Sequence, residues 1–598
     1  MKNRDRFSPA LWKRLWPFMK KLKKELLIVA VFLVVSSVLE ASYPLFTRFA
    51  VNNFIAAEET GGLAAFVVVF VLVILGQGVA VIFFSRYSMI VEMRLGPAMK
   101  RACFTHLQRL SVDYYSKNSV GYLIARVMSD TDRIAGLVSW GLMDFFWGIV
   151  YLLGTIIFML TMSPGLTLLV IPVIPATILI IYFFQRKLVI LNRRVREINS
   201  KITGAYNESI TGGKTAKTLV IEDRFTDEFK DITADMEHQS VRSHVTAGAM
   251  VPLVMFLGSV AVGTVLYRGG VLTREQLMDY GVLSAFISYA VGIIEPVQHG
   301  ARTLTRAIST QPCVERVTAL LDEPVTLFDA PEVIRKYGDE VNPKRENWEP
   351  VMGDIEFEDV WFRYPGSEQY ILRGFNLKIP RGTTIALVGE TGAGKSAIVN
   401  LACRFYAPER GRILVDGRDV RERSQLWLHS SIGYMLQDPH LFSGTIRENI
   451  RYGKLDATDD EVLRAARLVS ADTVAGRMRD GFDTQVGEGG GALSTGEKQL
   501  VSFARAMIAD PPIFILDEAT SSIDTETETL IQNAIANVLS GRTSFIIAHR
   551  LSTVAKADLI IVIDEGEIVE MGTHSELIKR NGRYFNLYEA MRIQESFQ

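Results

Sequence analysis

The sequence is poor in cysteine and carries almost no net charge. Its three cysteines, Cys103, Cys313 and Cys403, are scattered without a CxxC spacing, so they support neither a disulfide framework nor a zinc site and read as buried thiols. A formal net charge of -1 supplies no basic field to gather a polyanion, and no nucleic-acid partner is expected. No cleavable leader is expected either, because the basic N-terminal stretch leads into an apolar run without a small-residue cleavage site. What the chain has in abundance is apolar surface. Hydrophobic residues make up 48% of it, its mean hydropathy is positive, and the excess lies in the first three hundred residues. At 598 residues the chain is too long for one core, so at least two domains are expected.

Residues from Phe7 to about Leu26 place Leu11, Leu15, Phe18 and Leu22 at helical spacing with Lys13, Arg14, Lys20 and Lys21 between them. This predicts a helix lying on an anionic lipid surface. Six apolar runs of membrane-spanning length follow, approximately Leu26 to Phe46, Leu63 to Phe84, Leu137 to Met162, Leu166 to Phe184, Ala247 to Tyr267 and Tyr280 to Val297. The segment before the first run is strongly basic, whereas Val51 to Gly62 and the Ser163-Pro164-Gly165 turn carry no Lys or Arg. That bias predicts both termini on the cytoplasmic side, with Arg48, Arg268 and Arg274 as mild exceptions on the outer side. The inner connections, about Ser85 to Ile134 and about Gln185 to Val245, are long, charged and helix-favouring, so the spanning helices are expected to continue into the cytoplasm. Their tips are expected at Tyr114 to Gly121 and at Glu208 to Gly213, where small polar residues and glycine interrupt the helical period. Polar groups in or beside the runs, Glu40, Gln77, Asp144, Glu295 and His299, are read as functional, as helix-to-helix hydrogen bonds or as lying just beyond a span; Glu295 and His299, beside Pro296 near the inner end of the sixth span, are read as a boundary or gate.

From Leu321 to about Met352 the chain turns polar and proline-punctuated, which marks a linker between a membrane domain (1–320) and a second domain (353–598). In the second domain, the apolar run Thr384 to Val388 leads into Gly389-Glu390-Thr391-Gly392-Ala393-Gly394-Lys395-Ser396 and then into Ala397 to Leu401. A strand, a glycine-rich turn and a helix in that order form a P-loop. Its backbone N-H groups curl around a polyphosphate, Lys395 neutralises the outer phosphates, and the Ser396 hydroxyl can ligate magnesium. The alternating stretch Ile355 to Tyr364 predicts a strand ending in an aromatic able to stack on adenine. Pro512 to Glu518 reads as a buried strand delivering Asp517 to the magnesium shell and Glu518 as a base that polarises water. Thr543 to His549 repeats that arrangement and delivers His549 as a sensor of the terminal phosphate.

Tyr364, Gly389 to Ser396, Gln437, Leu493-Ser494-Thr495-Gly496-Glu497, Leu516-Asp517-Glu518, Ser521-Ser522-Ile523-Asp524 and His549 appear in the order of the ABC transporter nucleotide-binding domain. With six preceding spans, the whole chain resembles a half-transporter of the bacterial multidrug and lipid exporter type, similar to the lipid A flippase family. The resemblance implies an all-α six-helix transmembrane domain of the type I exporter kind, fused to an α/β P-loop nucleotide-binding domain. It implies ATP and Mg2+ as cofactors and paired chains that hold ATP between them. Tyr364 and residues 389 to 396 would bind nucleotide together with Ser494, Gly496 and Asp524 of the facing half. Ser396, Gln437 and Asp517 would hold the metal, with Gln437 linking the site to the membrane tips. Glu518 would act as general base, assisted by Lys395, Gln437 and His549. Glu488 matches the position through which exporters touch the membrane domain.

One departure from the family pattern stands out. The signature LSGGQ is here Leu493-Ser494-Thr495-Gly496-Glu497. Thr495 puts a branched side chain where glycine allows close approach. Glu497 brings a carboxylate whose repulsion of a nearby nucleotide would cost about 1 to 3 kcal/mol if unpaired, with neighbouring Lys498 able to offset it. In exporters built from two different halves, the half that keeps its glutamate and histidine often carries the weakened signature, so the resemblance implies a heterodimer. The expected cargo is an amphipathic small molecule or a lipid, and the expected place is a bacterial inner (plasma) membrane. A homodimeric lipid flippase and a nucleotide-gated channel or regulatory subunit are the alternatives. Almost nothing precedes Trp12, so an N-terminal protease domain of the peptide-processing kind is not expected.

Overall fold

A helix that crosses lipid has to satisfy its backbone polar groups internally, because no water is there to do so. In a computed structural model of the chain, which describes residues 8–339, 342–517, 525–547 and 551–596, the apolar runs do this. Among the described residues, six helical stretches are long and apolar enough to cross a membrane: Lys23–Ile55, Leu63–Leu107, Val120–Met162, Pro164–Thr211, Glu222–Arg274 and Tyr280–Asp322. All outrun the predicted hydrophobic windows, because the helical hydrogen-bond ladder does not stop where the apolar composition does. Charged, helix-favouring sequence continues the same helices beyond any bilayer thickness.

The chain divides into two units. The first comprises Met1–Arg109 and Asn118–Glu323, the second Leu110–Lys117 and Pro324–Gln598. In the first unit the long helices pack through small residues and cross-helix hydrogen bonds. Tyr289 donates to the Ala41 carbonyl at 2.8 Å and Trp147 Nε1 donates to Glu40 at 3.1 Å, while Tyr43 donates to Gln77. Glu40 and Gln77 therefore serve helix contacts. Glu295 lies 3.9 Å from His299, whose ring sits edge-on to Trp147; Asp144 sits partly buried nearby on the Trp147 helix. The second predicted tip forms a break at Gly212 followed by the short helix Gly213–Leu219, with Ile210, Leu219 and Val220 exposed.

The N-terminal segment corrects one expectation. Two short helices, Pro9–Lys13 and Trp16–Lys20, replace a single helix from Phe7 to Leu26. Pro17 lacks an N-H for the preceding turn and prevents a continuous helix. Leu15 is buried in this unit, the Ser8 amide donates to Gln311 at 2.8 Å and Arg14 pairs with Asp322, so the segment is tied to the sixth long helix.

The second unit is built on two sheets. Its strands are β1 (Ile355–Phe362), β2 (Leu372–Ile379), β3 (Thr384–Val388), β4 (Arg410–Val415), β5 (Arg418–Asp419), β6 (Ile432–Met435), β7 (Ile513–Asp517), β8 (Thr543–Ile547), β9 (Leu559–Asp564) and β10 (Glu567–Gly572). The strand order is β2-β1-β4-β5 in an antiparallel sheet and β10-β9-β3-β8-β7-β6 in a sheet that is parallel except at the β10 edge. The parallel strands are buried on both faces, as their continuous apolar runs require. Ile385 and Leu387 of β3, with Ile513 and Ile515 of β7, face a core shared with the antiparallel sheet. Ala386, Val388, Phe514 and Leu516 face a second core filled by helices. Each such large side chain contributes about 1.5 to 3 kcal/mol by leaving water. β1 ends at Phe362, two residues before the predicted Tyr364, because Pro365 and Gly366 turn the chain away.

The short helix Val112–Lys117, which overlaps the start of the first predicted tip, belongs to this unit. Lys117 Nζ donates to the Pro365 carbonyl at 2.9 Å and pairs with Asp113 at 2.7 Å, and Tyr114 is buried.

Candidate functional site

The parallel register aligns the ends of four strands. Leu387 of β3 pairs with Ile547 of β8, Ile547 with Asp517 of β7, and Leu516 of β7 with Met435 of β6. Two strand spacings, about 9 to 10 Å, therefore separate the start of the P-loop from Asp517. Gln437 follows β6 by two residues and is exposed at the same sheet end. Here crossovers place ligand sites in an open α/β sheet.

Gly389 begins the loop directly against β9, where an added Cβ would meet the Ile563 carbonyl at 2.2 Å. Gly394, at φ 109°, is the N-cap of the helix Lys395–Ala402. A left-handed cap of this kind aims the first helical amides back into the loop, where they favour anionic groups. Lys395 is 9% exposed and its Nζ donates to the carbonyls of Gly389 at 2.7 Å and Glu390 at 2.9 Å, so the ammonium is held across the mouth of the loop. Burial pushes its pKa below the ordinary lysine value, and Asp517 opposes that shift. Lys395 and the Asp517 carboxylate thus share one field, with opposite charges ready for phosphate and for a metal. Thr391, Gly392 and Ser396 are exposed while Ala393 and Gly394 are buried, which leaves the Ser396 hydroxyl open at the first helical turn.

Tyr364 is half-buried and packs edge-on against Phe362 and Tyr406, both at 5.1 Å. Tyr406 was not singled out by sequence reasoning, since an aromatic after the P-loop helix carries no spacing signal of its own. Glu518, Asp524 and His549 lie outside the described residues, as do Ser521, Ser522 and Ile523. β7 ends at Asp517 and β8 at Ile547.

At the signature segment, Ser494 is the N-cap of the helix Thr495–Met507, and Glu497 completes a capping box. The Ser494 amide donates to Glu497 Oε2 at 2.8 Å, and the Glu497 amide donates to Ser494 Oγ at 3.4 Å. The Glu497 carboxylate, whose cost would be felt if unpaired, is engaged by its own helix start. The S-x-x-E spacing carries that signal in the sequence. Thr495 is exposed and Gly496 buried.

A groove of about 360 Å³ lies beside Gln437, lined among others by Leu436, His440, Phe442 and Arg505. Arg505 is fixed there by the His440 carbonyl at 2.8 Å and Asn449 Oδ1 at 2.7 Å, and burial lowers its pKa. Among the described residues no group of three His, Cys, Asp or Glu side chains could hold a metal alone. A cation at this site would depend on phosphate oxygens, as magnesium does.

The family profile described as ABC transporter transmembrane region matches residues 26–297, and the one described as ABC transporter matches residues 372–521. A Bacillus subtilis (strain 168) protein described as uncharacterized ABC transporter ATP-binding protein YfiC is 33% identical over 579 residues, 97% of this chain and 94% of that protein. The ATP-dependent lipid A-core flippase of Vibrio vulnificus (strain CMCP6) is 31% identical over 596 residues, 99% of each chain. Among solved structures, a bacterial Atm1-family ABC exporter with ATP bound matches with a TM-score of 0.76 at 26% identity, over 95% of this chain and 98% of that one.

Proposed function

The chain belongs to the ABC transporter family as an exporter half-transporter that couples ATP hydrolysis to transport, and from that premise we propose that it exports or flips amphipathic molecules or lipids by alternating access. The observation that carries this reading is the placement of Lys395, held across the P-loop mouth, at the same sheet end as Asp517, in a chain with six membrane-length helices.

In this reading Lys395 and the amides of residues 389 to 396 bind the phosphates of ATP, and Tyr364 packs on the base. Ser396, Gln437 and Asp517 hold Mg2+, which draws charge from the terminal phosphate when bound. Glu518 orients and deprotonates the attacking water, His549 contacts the terminal phosphate, and Asp524 reaches the facing site. Ser494 and Gly496 present the signature helix to the ATP of the other half. The groove beside Gln437 accepts an inner turn of that other half, so that closure on ATP is felt by the membrane helices. The Lys and Arg bias supports a bacterial inner-membrane protein with both termini in the cytoplasm.

The other half is proposed to be a different chain, on the strength of Thr495, whose branched side chain is exposed at the signature turn. A homodimeric lipid flippase is the second reading. It is favoured by the capping box, which gives the Glu497 carboxylate a structural partner at its own helix start, a role that either half of an identical pair could use. Glu518→Gln should lower ATP turnover at least a hundredfold in membranes while ATP still binds. Unchanged turnover would refute the role given to Glu518.

A further inference from the structure

The turn between β9 and β10 presses on the P-loop: the Gly566 amide donates to the Ala393 carbonyl at 3.0 Å, and the Ile563 carbonyl abuts Gly389. Beyond β10 the chain closes with the helix Arg583–Ser596. The start of that helix is fastened to β10, because Glu570 accepts from the amides of Arg583 at 2.8 Å and Tyr584 at 2.9 Å. This fixture delivers the Arg583 guanidinium to the P-loop. It lies 2.9 Å from Asp564, at the end of β9, and 3.6 Å from Glu390, the second residue of the loop. Two carboxylates thus flank the loop that has to receive a highly anionic triphosphate, and one arginine from the last helix stands between them.

We propose that Arg583 is a positioning residue for nucleotide binding, which neutralises Glu390 and Asp564 beside the P-loop and so makes ATP affinity depend on how the C-terminal helix is seated. The inference rests on the reading of residues 389 to 396 as the ATP site. Without Arg583, the local charge from these three groups falls from -1 to -2 beside the phosphates. All three side chains are partly exposed, so the effect is moderate and screened by salt.

The test is equilibrium binding of ATP to the full chain in lipid nanodiscs, at low and at high ionic strength. Arg583→Met should weaken ATP binding about three- to tenfold at low ionic strength, and much less at high. Arg583→Lys should recover most of the loss. Adding Glu390→Gln to Arg583→Met returns the local charge to -1 and should recover most of the affinity lost at low ionic strength, a rescue that a merely structural role for Arg583 would not produce. An Arg583→Met loss that is independent of salt, or that Glu390→Gln does not relieve, overturns the proposal, as does unchanged affinity. Lys395→Ala separates the two layers: if it leaves ATP binding intact, the P-loop reading itself fails, and if it abolishes binding while Arg583→Met has no effect, only the present inference fails.

Discussion

Glu497 shows how the same residue changes meaning once its neighbours are known. As a letter in the signature it is a carboxylate near a nucleotide; in the fold its oxygen accepts from the Ser494 amide at 2.8 Å and closes a capping box. Glutamine can make the same reciprocal bond, so Glu497→Gln should leave thermal stability within about 0.5 kcal/mol. Glu497→Ala should cost about 0.5 to 2 kcal/mol. Thermal unfolding of both variants checks this. His429 is a second residue whose role only burial decides. Its Nε2-H donates to the Cys403 carbonyl at 2.8 Å, and burial holds its pKa below the ordinary 6.5, partly opposed by that hydrogen bond. As pH falls below 6.5 the unfolded chain takes up this proton first, so the stability the neutral ring contributes is present at neutral pH and lost on acidification. His429→Gln keeps a donor but cannot titrate. Its melting temperature should fall less than the wild type's between neutral pH and about 5.5, and equal slopes would contradict the assignment.

At the scale of elements, the third and sixth long helices are joined by a two-pronged ion pair. Arg316 donates from Nε and Nη2 to the two oxygens of Asp130, each at 2.7 Å, and Asp130 is 4% exposed. Replacing the arginine leaves a buried carboxylate without its fork, which costs more than the pair contributes. Arg316→Met should destabilise the protein by about 2 to 3 kcal/mol, a figure discounted because Arg316 is itself partly exposed. Arg316→Lys should recover only part, since a point charge cannot make both bonds. Melting in nanodiscs distinguishes the two variants. The pair was not legible in the sequence, where Asp130 and Arg316 lie 186 positions apart. The helices that carry them were legible, because apolar runs and helix-favouring extensions are local signals. The N-terminal segment is split because Pro17 removes an N-H from the helical ladder, which the apolar spacing of Leu11, Leu15, Phe18 and Leu22 does not reveal.

For the whole molecule, the identity of the facing half decides what the signature segment meets. Thr495 is exposed, and a second, sequence-distinct ABC half should co-purify in equal amount if the pairing is heteromeric. Recovery of this chain alone as a dimer with full ATP turnover would favour the homodimer. The sequence by itself determined the class of fold and the strand, glycine turn and helix at residues 384 to 401, because hydrophobic period, glycine placement and motif order are properties of neighbouring residues. Only the tertiary structure decided which distant groups share a field. It set Asp517 two strands from the P-loop and brought Arg583 from the last helix to Glu390. Those outcomes depend on strand order and register, which arise when separated segments pack and which no local pattern encodes.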